Sequence, residues 1–532
     1  MSLWAQQQAS LTGTVTAASS GEPIAGAEVV INRGSPKRLT ATTDAQGHYT
    51  LRGLPPGKHE VSTIAPGPDG RLSFGSSAMR LATVQEGQEL ANFDFKIVLA
   101  GRIKGRVVDQ NKEPVPDITV LLVAREYTAG ALRTVIAGVG MTDDQGDYTL
   151  ERVRPGRAFT VLAAKRKNSL DPISDAPADP KLRLPAVVPT YYPNSTTLEG
   201  AEPLTLRPAE LREDINIHLT RSPSYCLEAQ VDGGASPTEI RFNIGEATPT
   251  SGSVGDGAVY MSIPGGPLSP EGKLRICDLH PGDYELTAQQ FSKDQFGINP
   301  FFGAMPVVMG NRDLPNLRLT ASPRLPLSGE IVWEGPPPDA PVTAKLFLSV
   351  AALTRTERGS VQTTLPGEFQ FKDGLLMDDY RLTLRGLPPD TYVKEMTHGE
   401  RNVQLDPLRV GSAMGNRGLR IVVARDGATL TVTTADKDAR PAPDLNIAVV
   451  PATAPNEAAV ATLMITGKTD QNGAWTSAML APGRYYAVAT SDPIDKSPEF
   501  IGKLWAARGS SKVVELRPKA TEALTIAPRT LE

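Results

Sequence analysis

Four times in this chain two glycines stand ten residues apart in the same setting: the first opens an alternating apolar run and the second closes a Leu-x-Pro-Gly or Val-x-Pro-Gly turn. The copies are Gly47-His48-Tyr49 with Leu54-Pro55-Pro56-Gly57, and Gly146-Asp147-Tyr148 with Val153-Arg154-Pro155-Gly156. Two more are Gly272-Lys273-Leu274 with Leu279-His280-Pro281-Gly282, and Gly473-Ala474-Trp475 with Leu480-Ala481-Pro482-Gly483. A repeat of this kind dictates an array of similar units and excludes one large core. The gap between the third and fourth copies is about twice the others, so a degenerate copy is expected there. Gly367-Glu368-Phe369 followed by Met377-Asp378-Asp379-Tyr380 fits, with Asp378-Asp379 read in place of Pro-Gly.

The motif is built from hairpin chemistry. In Thr43-Asp44-Ala45-Gln46-Gly47, Thr142-Asp143-Asp144-Gln145-Gly146 and Thr469-Asp470-Gln471-Asn472-Gly473, the Asp can close an Asx-turn and the Gly can take a positive φ. Tyr49 and Leu51, Tyr148 and Leu150, and Leu274 and Ile276 then alternate at period two, the pattern of a strand with one face in a core. Pro-Gly turns the chain again. Upstream lie an opening strand such as Leu11-Thr12-Gly13-Thr14-Val15 or Ile103-Lys104-Gly105-Arg106-Val107 and a second strand behind a Pro-bearing turn. Each unit closes on a run such as Phe93-Asp94-Phe95-Lys96-Ile97 or Ile215-Asn216-Ile217-His218-Leu219. About seven short strands per hundred residues is the arithmetic of an immunoglobulin-like sandwich.

The order G-x-V, P-x-x-G/D-x-x-V, T-D-x-x-G-x-Y, L-x-P-G-x-Y resembles the carboxypeptidase regulatory-like domains of transthyretin-like topology, strongly in the first two units, fairly in the fifth and weakly in the third and fourth. The resemblance implies an all-β tandem array of about five Ig-like or transthyretin-like sandwiches, placed by the repeats at 9–100, 101–221, 222–322, 323–425 and 426–532. It also implies a secreted, periplasmic or cell-surface setting. The domain meant is the non-catalytic accessory module, and no zinc-peptidase region accompanies it. Linkers as short as Ile97-Val98-Leu99-Ala100-Gly101-Arg102-Ile103 lead us to expect neighbours stacked end to end in a straight or bent rod.

Composition agrees with the repeat. Aliphatic and aromatic residues are 40% of the chain but aromatics only 5%, so cores must rest on Val, Leu, Ile and Ala; 48 Gly and 46 Pro supply many turns. With 55 Lys and Arg against 59 Asp and Glu and no long single-sign run, there is no electrostatic footprint for nucleic acid. No stretch reaches the roughly 20 apolar residues of a membrane-spanning helix. Leu3-Trp4-Ala5 before Gln6-Gln7-Gln8 reads like the end of a signal peptide.

Candidate functional residues are few. Cys226 and Cys277 fall in one unit; in an exported chain an even count argues for a bridge, the alternative being two buried thiols. A Pro-rich insertion at 166–200 carries Tyr191 and Tyr192, and a loop in the third unit carries Phe291, Phe296, Phe301 and Phe302. Either aromatic group can be a binding platform or a packing element. Asp143, Asp144 and Asp147 hint at calcium, but turn capping explains them better, since no Glu stands at the twelfth position of an EF-type loop. The five histidines are scattered, and no G-x-S-x-G elbow occurs. The reading is therefore a non-enzymatic scaffold without cofactor or metal, binding a protein or polysaccharide at the cell envelope. A carbohydrate-binding accessory protein is the alternative, and an enzyme with a site at a domain junction the third.

Overall fold

Each opening strand sits at the centre of a small sheet, with the motif strand antiparallel on one side and the closing strand parallel on the other. In the first unit Ala9–Ala17 lies between His48–Leu54 and the pair Glu89–Leu90 and Phe95–Ile97. The plan recurs with Gly101–Val108 between Asp147–Val153 and Leu211–Arg212 with Ile217–His218, and with Tyr225–Asp232 between Lys273–Leu279 and Leu314–Thr320. It recurs again with Leu325–Trp333 between Gly367–Leu375 and Leu419–Ala424, and with Thr429–Thr434 between Ala474–Thr476 and Thr521–Ile526. A second antiparallel sheet faces each of these, for example Leu39–Thr42, Glu28–Ile31, Gly57–Pro66 and Leu72–Val84 in the first unit. Apolar cores lie between the paired sheets. The protein is thus an all-β tandem array of sandwiches, seen in a computed structural model that describes residues 8–31, 38–67, 72–128, 131–165, 171–234, 236–247, 260–290, 300–335, 344–353, 358–411 and 418–531. Residues 1–7, which include the Leu3-Trp4-Ala5 stretch, and Phe291 and Phe296 lie outside the described residues.

The motif residues have local physical reasons. A Cβ on Gly13 would sit 2.3 Å from the Phe93 carbonyl oxygen, on Gly105 1.9 Å from that of Ile215, and on Gly329 2.0 Å from that of Leu419. The Gly of G-x-V therefore exists to let the parallel closing strand approach. Asp44, Asp143 and Asp470 each accept two backbone N–H bonds through Oδ1, from Gln46 and His48, Gln145 and Asp147, and Asn472 and Ala474, at 2.8 to 3.0 Å. The neighbouring threonine Oγ1 accepts from Ala27, Ile118 and Leu445, locking the turn to the second strand. These aspartates cap turns.

Gly53, Arg152, Asp278 and Gly374, each directly before the Leu or Val of the Pro-Gly turn, all have positive φ (60° to 86°) and coincide with a register shift against the opening strand. The motif strand thus carries a bulge in four units. The Tyr after the turn donates Oη–H to the carbonyl four residues back, Tyr284 to His280, Tyr485 to Ala481 and Tyr380 to Leu376. That bond places Met377-Asp378, not Asp378-Asp379, where the other units have Pro-Gly, because the bulge of the fourth unit holds one extra residue.

The fifth unit departs from pure β structure. Helices α1 (Glu457–Leu463), capped by Asn456, and α2 (Pro498–Ala507), capped by Ser497, cover the outer face of the sheet containing Asn446–Pro451 and Gly483–Thr490. Those two strands are buried on both faces, Val449 and Ala487 inward and Ala448, Tyr486 and Val488 toward the helices, which explains their unbroken apolar runs. Among the described residues no helix is long and apolar enough to cross a membrane.

Candidate functional site

Several side chains make specific polar contacts across the seams between units. The end-to-end rod expected from the short linkers is not the arrangement found, because the fifth unit folds back onto the first and second. Arg80, on the edge strand Leu72–Val84, donates Nε–H to Asp444 Oδ1 at 2.6 Å and a second bond to the Asp94 carbonyl; its guanidinium lies 4.0 Å over the Phe93 ring. Beside this pair Gln471 acts as a one-residue strand: its amide donates to the Thr83 carbonyl at 3.1 Å and accepts from the Thr83 N–H at 3.4 Å. The Asx-turn of the fifth unit thereby blunts an exposed sheet edge of the first. Lys468 is half-buried near Asp444 and Arg80, and desolvation lowers its ammonium pKa.

At the second seam the hairpin of Ile118–Thr128 and Ala131–Met141 reaches the helices of the fifth unit. The Tyr127 N–H bonds the Lys496 carbonyl at 2.8 Å, and its hydroxyl donates to Glu457 Oε2 at 2.8 Å. Burial first, then that bond, pushes the phenol to about 12. The fourth unit joins the fifth through Tyr392, which donates to Asp426 Oδ1 at 3.0 Å, and Leu405, which packs on the helical core.

The Pro-rich insertion of the second unit forms the third seam. Around Ile173 it adds a strand-like rung to the edge of the third unit: the Arg275 N–H bonds the Pro172 carbonyl and the Ser174 N–H bonds the Arg275 carbonyl, at 2.7 and 2.9 Å. The Arg275 guanidinium returns bonds to the Ser174 and Ala176 carbonyls. Arg183, with a side chain only 1% exposed, grips Asp313 through two bonds of 2.7 and 2.8 Å, and its remaining N–H groups reach the Pro177 and Ala178 carbonyls. Asp313 Oδ1 also accepts from the Cys226 N–H, and Cys226 is bridged to Cys277. The guanidinium holds the Asp313 carboxyl below the usual carboxylate range, and the carboxylate raises Arg183.

The aromatic candidates divide. Tyr191 is fully buried, packed with Leu121, Val123 and Leu162 under Leu198 and Ala201, so it is a core residue and no exposed platform. Tyr192 is half-buried against the core of the second unit. Phe302 is buried and Phe301 half-buried, both in the strand Phe301–Met309 between Gly282–Gln290 and Ser322–Pro323. They close a sheet, which is why they are apolar. Among the described residues no group of three or more His, Cys, Asp and Glu side chains could hold a metal. Of the seam residues, Gln471 lies in the Asx-turn of the repeat, but Arg80, Tyr127, Arg183 and Asp313 belong to no repeat motif.

No curated protein matches the chain. Solved structures that resemble it include the full-length major pilin RrgB from Streptococcus pneumoniae, with 10% identity, 99% of this chain and all of that one covered, and a TM-score of 0.17. The Bacillus anthracis TIE protein has 10% identity, with 95% of this chain and 66% of that one covered and a TM-score of 0.14; BcpA, the major pilin subunit of Bacillus cereus, has 11% identity, 57% and 98% coverage and a TM-score of 0.14. At such scores no argument rests on these likenesses. Residues 10–97, by contrast, match the family model of the carboxypeptidase regulatory-like domain, so that likeness is carried by the first unit of a multidomain β-sandwich protein.

Proposed function

We propose that the protein is an exported, non-enzymatic scaffold that presents a fixed set of sandwiches to a protein or extracellular polymer at the cell envelope, its units bounded as 9–100, 101–221, 222–322, 323–425 and 426–532. The observation that carries this reading is the seam chemistry. Buried, geometrically specific locks such as Arg183–Asp313 hold neighbouring units in one relative pose, which a scaffold needs and a flexible tether does not. The disulfide supports an oxidising compartment. The polar residues of the repeat are engaged in turns, which favours a structural use for them.

The test is capture from an envelope fraction with purified protein as bait, run beside a glycan array. Specific retention of an envelope protein by the wild type, lost when the seams are opened by Arg183→Ala with Arg80→Met, supports the scaffold reading. Binding to a defined glycan that falls with Phe301→Ala favours the carbohydrate alternative, since Phe301 keeps part of its ring accessible. Phe302→Ala is unsuitable, because its side chain is part of the fold. Turnover in a hydrolase or transferase screen overturns both.

A further inference from the structure

The four-stranded sheet of the fourth unit runs Arg358–Thr363, Leu346–Ala352, Asp378–Arg385 and Leu408–Val410, all antiparallel. Alternation sends Leu346, Leu348 and Val350 into the core and Phe347, Ser349 and Ala351 to the outer face. The register then orders that face in rows: Arg358 and Arg381 flank Ala351, Gln362 and Arg385 flank Phe347, and hydroxyls flank Ser349 between them. The matching face is covered in the second unit by Leu198 and Ala201 and in the fifth by its helices. In the fourth unit Phe347 keeps 46% of its surface exposed, an apolar ring in a polar face.

The charges on this face are not neutralised. On other sheets the chain pairs an exposed arginine with a carboxylate on the neighbouring strand, as in Arg106–Asp147, Arg318–Asp232 and Arg420–Glu330. Arg358, Arg381 and Arg385 are exposed and have no ion pair or hydrogen bond among the described residues. Asp379, the acidic residue among the outward positions, is held by Arg409 at 3.6 Å. Lys496 of the fifth unit adds a cation nearby, and the Arg381 guanidinium adds to the effect of burial in lowering its ammonium pKa. A local cluster of one sign, in a chain whose net charge is −4, gathers anions at that place.

We propose that this face binds an acidic polysaccharide, with carboxylates on Arg358, Arg381 and Arg385 and a sugar ring on Phe347. The inference rests on the scaffold reading, to which it gives a polymer of stated charge. A guanidinium meets a carboxylate through two parallel bonds, and a phenyl face accepts the apolar side of a sugar ring. Arg381 and Arg385 stand about 13 Å apart along one strand, and Arg358 lies two strands, about 10 Å, from Arg381. Such spacing suits carboxylates recurring along a stiff chain. The Gln362 amide and the Ser349 row offer short hydrogen-bonding groups for its hydroxyls. Single-stranded nucleic acid fits less well, since it calls for several stacking rings and this face has one.

The experiment is isothermal titration of the full chain with oligogalacturonate and oligomannuronate, their methyl esters, and single-stranded DNA of equal charge. Saturable binding of at least one free acid is expected, weakening as salt rises and at least tenfold weaker for its ester and for DNA. Arg381→Gln with Arg385→Gln should weaken it at least tenfold, and Phe347→Ala at least threefold, without moving the melting temperature, because all three side chains face solvent. Phe301→Ala should leave it unchanged. Absence of saturable binding of either acid at millimolar concentration, equal binding of the esters or DNA, or full binding by the double arginine variant or by Phe347→Ala overturns the proposal. A chain that binds neither acid but still captures an envelope protein loses this site and keeps the scaffold reading.

Discussion

Arg183 of the second unit and Asp313 of the third form a two-bond ion pair at 2.7 and 2.8 Å, with the arginine almost fully buried and the carboxylate also holding the Cys226 N–H. Removing Arg183 leaves Asp313 partly hydrated, at 37% exposure, so the loss is that of the charge-assisted bonds, about 2 kcal/mol. Arg183→Ala should therefore release the insertion: limited proteolysis should cut within 171–200 much faster, while the melting of the third unit changes less. Equal cutting in both proteins would refute the clasp.

The same pair sets a pH dependence. The Asp313 carboxyl is depressed in the folded state, chiefly by its bond to Arg183, so its stabilisation is complete above the ordinary aspartate pKa of about 4 and is lost as pH falls through the depressed value. Acidification from about pH 4 down through that depressed value should progressively open the clasp in the wild type. In Asp313→Asn the proteolysis rate should be high at neutral pH already and change little with acid.

Cys226 and Cys277 close a segment with a sequence separation of 51. In the chain-entropy account this contributes about 4 kcal/mol to the third unit. The double substitution Cys226→Ala with Cys277→Ala should lower the denaturation midpoint of that unit and also loosen the Arg183 clasp, because Cys226 supplies a bond to Asp313. Unchanged denaturation of the double variant would show that the bridge contributes nothing to stability.

Two glycines of the repeat separate close approach from backbone freedom. Gly105→Ala drives a methyl to 1.9 Å from the Ile215 carbonyl, so the parallel closing strand must shift, and a loss of more than about 3 kcal/mol is expected. Gly156, at φ 75° with nothing within 4 Å of an added Cβ, should lose only about 1–2 kcal/mol as Ala, the cost of the left-handed conformation. Thermal melting of the two variants checks the order.

Much of the fold was legible because its signals are local. An Asx-turn, a period-two strand and a Pro-Gly turn occupy about fifteen consecutive residues, as in Thr142 to Gly156, and all of their bonds close within that window or against the adjacent strand. The displaced Pro-Gly site of the fourth unit is hidden in the sequence because the extra bulge residue near Gly374 carries no signal of its own. Helix α2 does carry signals in the sequence, since Ser497-Pro498-Glu499 is a helix start and Phe500, Ile501, Leu504 and Ala507 share one face, but it stands as an insertion in an otherwise all-β repeat. The burial of Tyr191 has no local signal, because its Pro-rich surroundings resemble a loop and its cover, Leu198 and Ala201, carries no periodic pattern. The seams were illegible for a different reason. Arg80 and Asp444 are 364 residues apart, and nothing local records that they meet.

That long-range pair is also the decisive test of the closed arrangement. Arg80 is largely buried, with its Nε on Asp444 and its guanidinium over Phe93, while Gln471 occupies both backbone groups of Thr83 two strand positions beyond Leu81. Replacing Arg80 by Met keeps some packing but removes the bond to Asp444 across the seam, leaving only Lys468 of the same unit near that carboxylate, and the seam between the first and fifth units should part. A cysteine pair introduced at Thr83 and Gln471 should crosslink readily under mild oxidation in an otherwise wild-type chain, and at least several-fold more slowly with Arg80→Met added. Small-angle scattering should show little change in the radius of gyration for Arg80→Met alone, because Tyr127 still ties the fifth unit to the second, and a larger value when Tyr127→Ala is added. Crosslinking that is equally fast in both backgrounds would show that Arg80 does not hold the seam, and no crosslinking in either would show that the chain is open in solution.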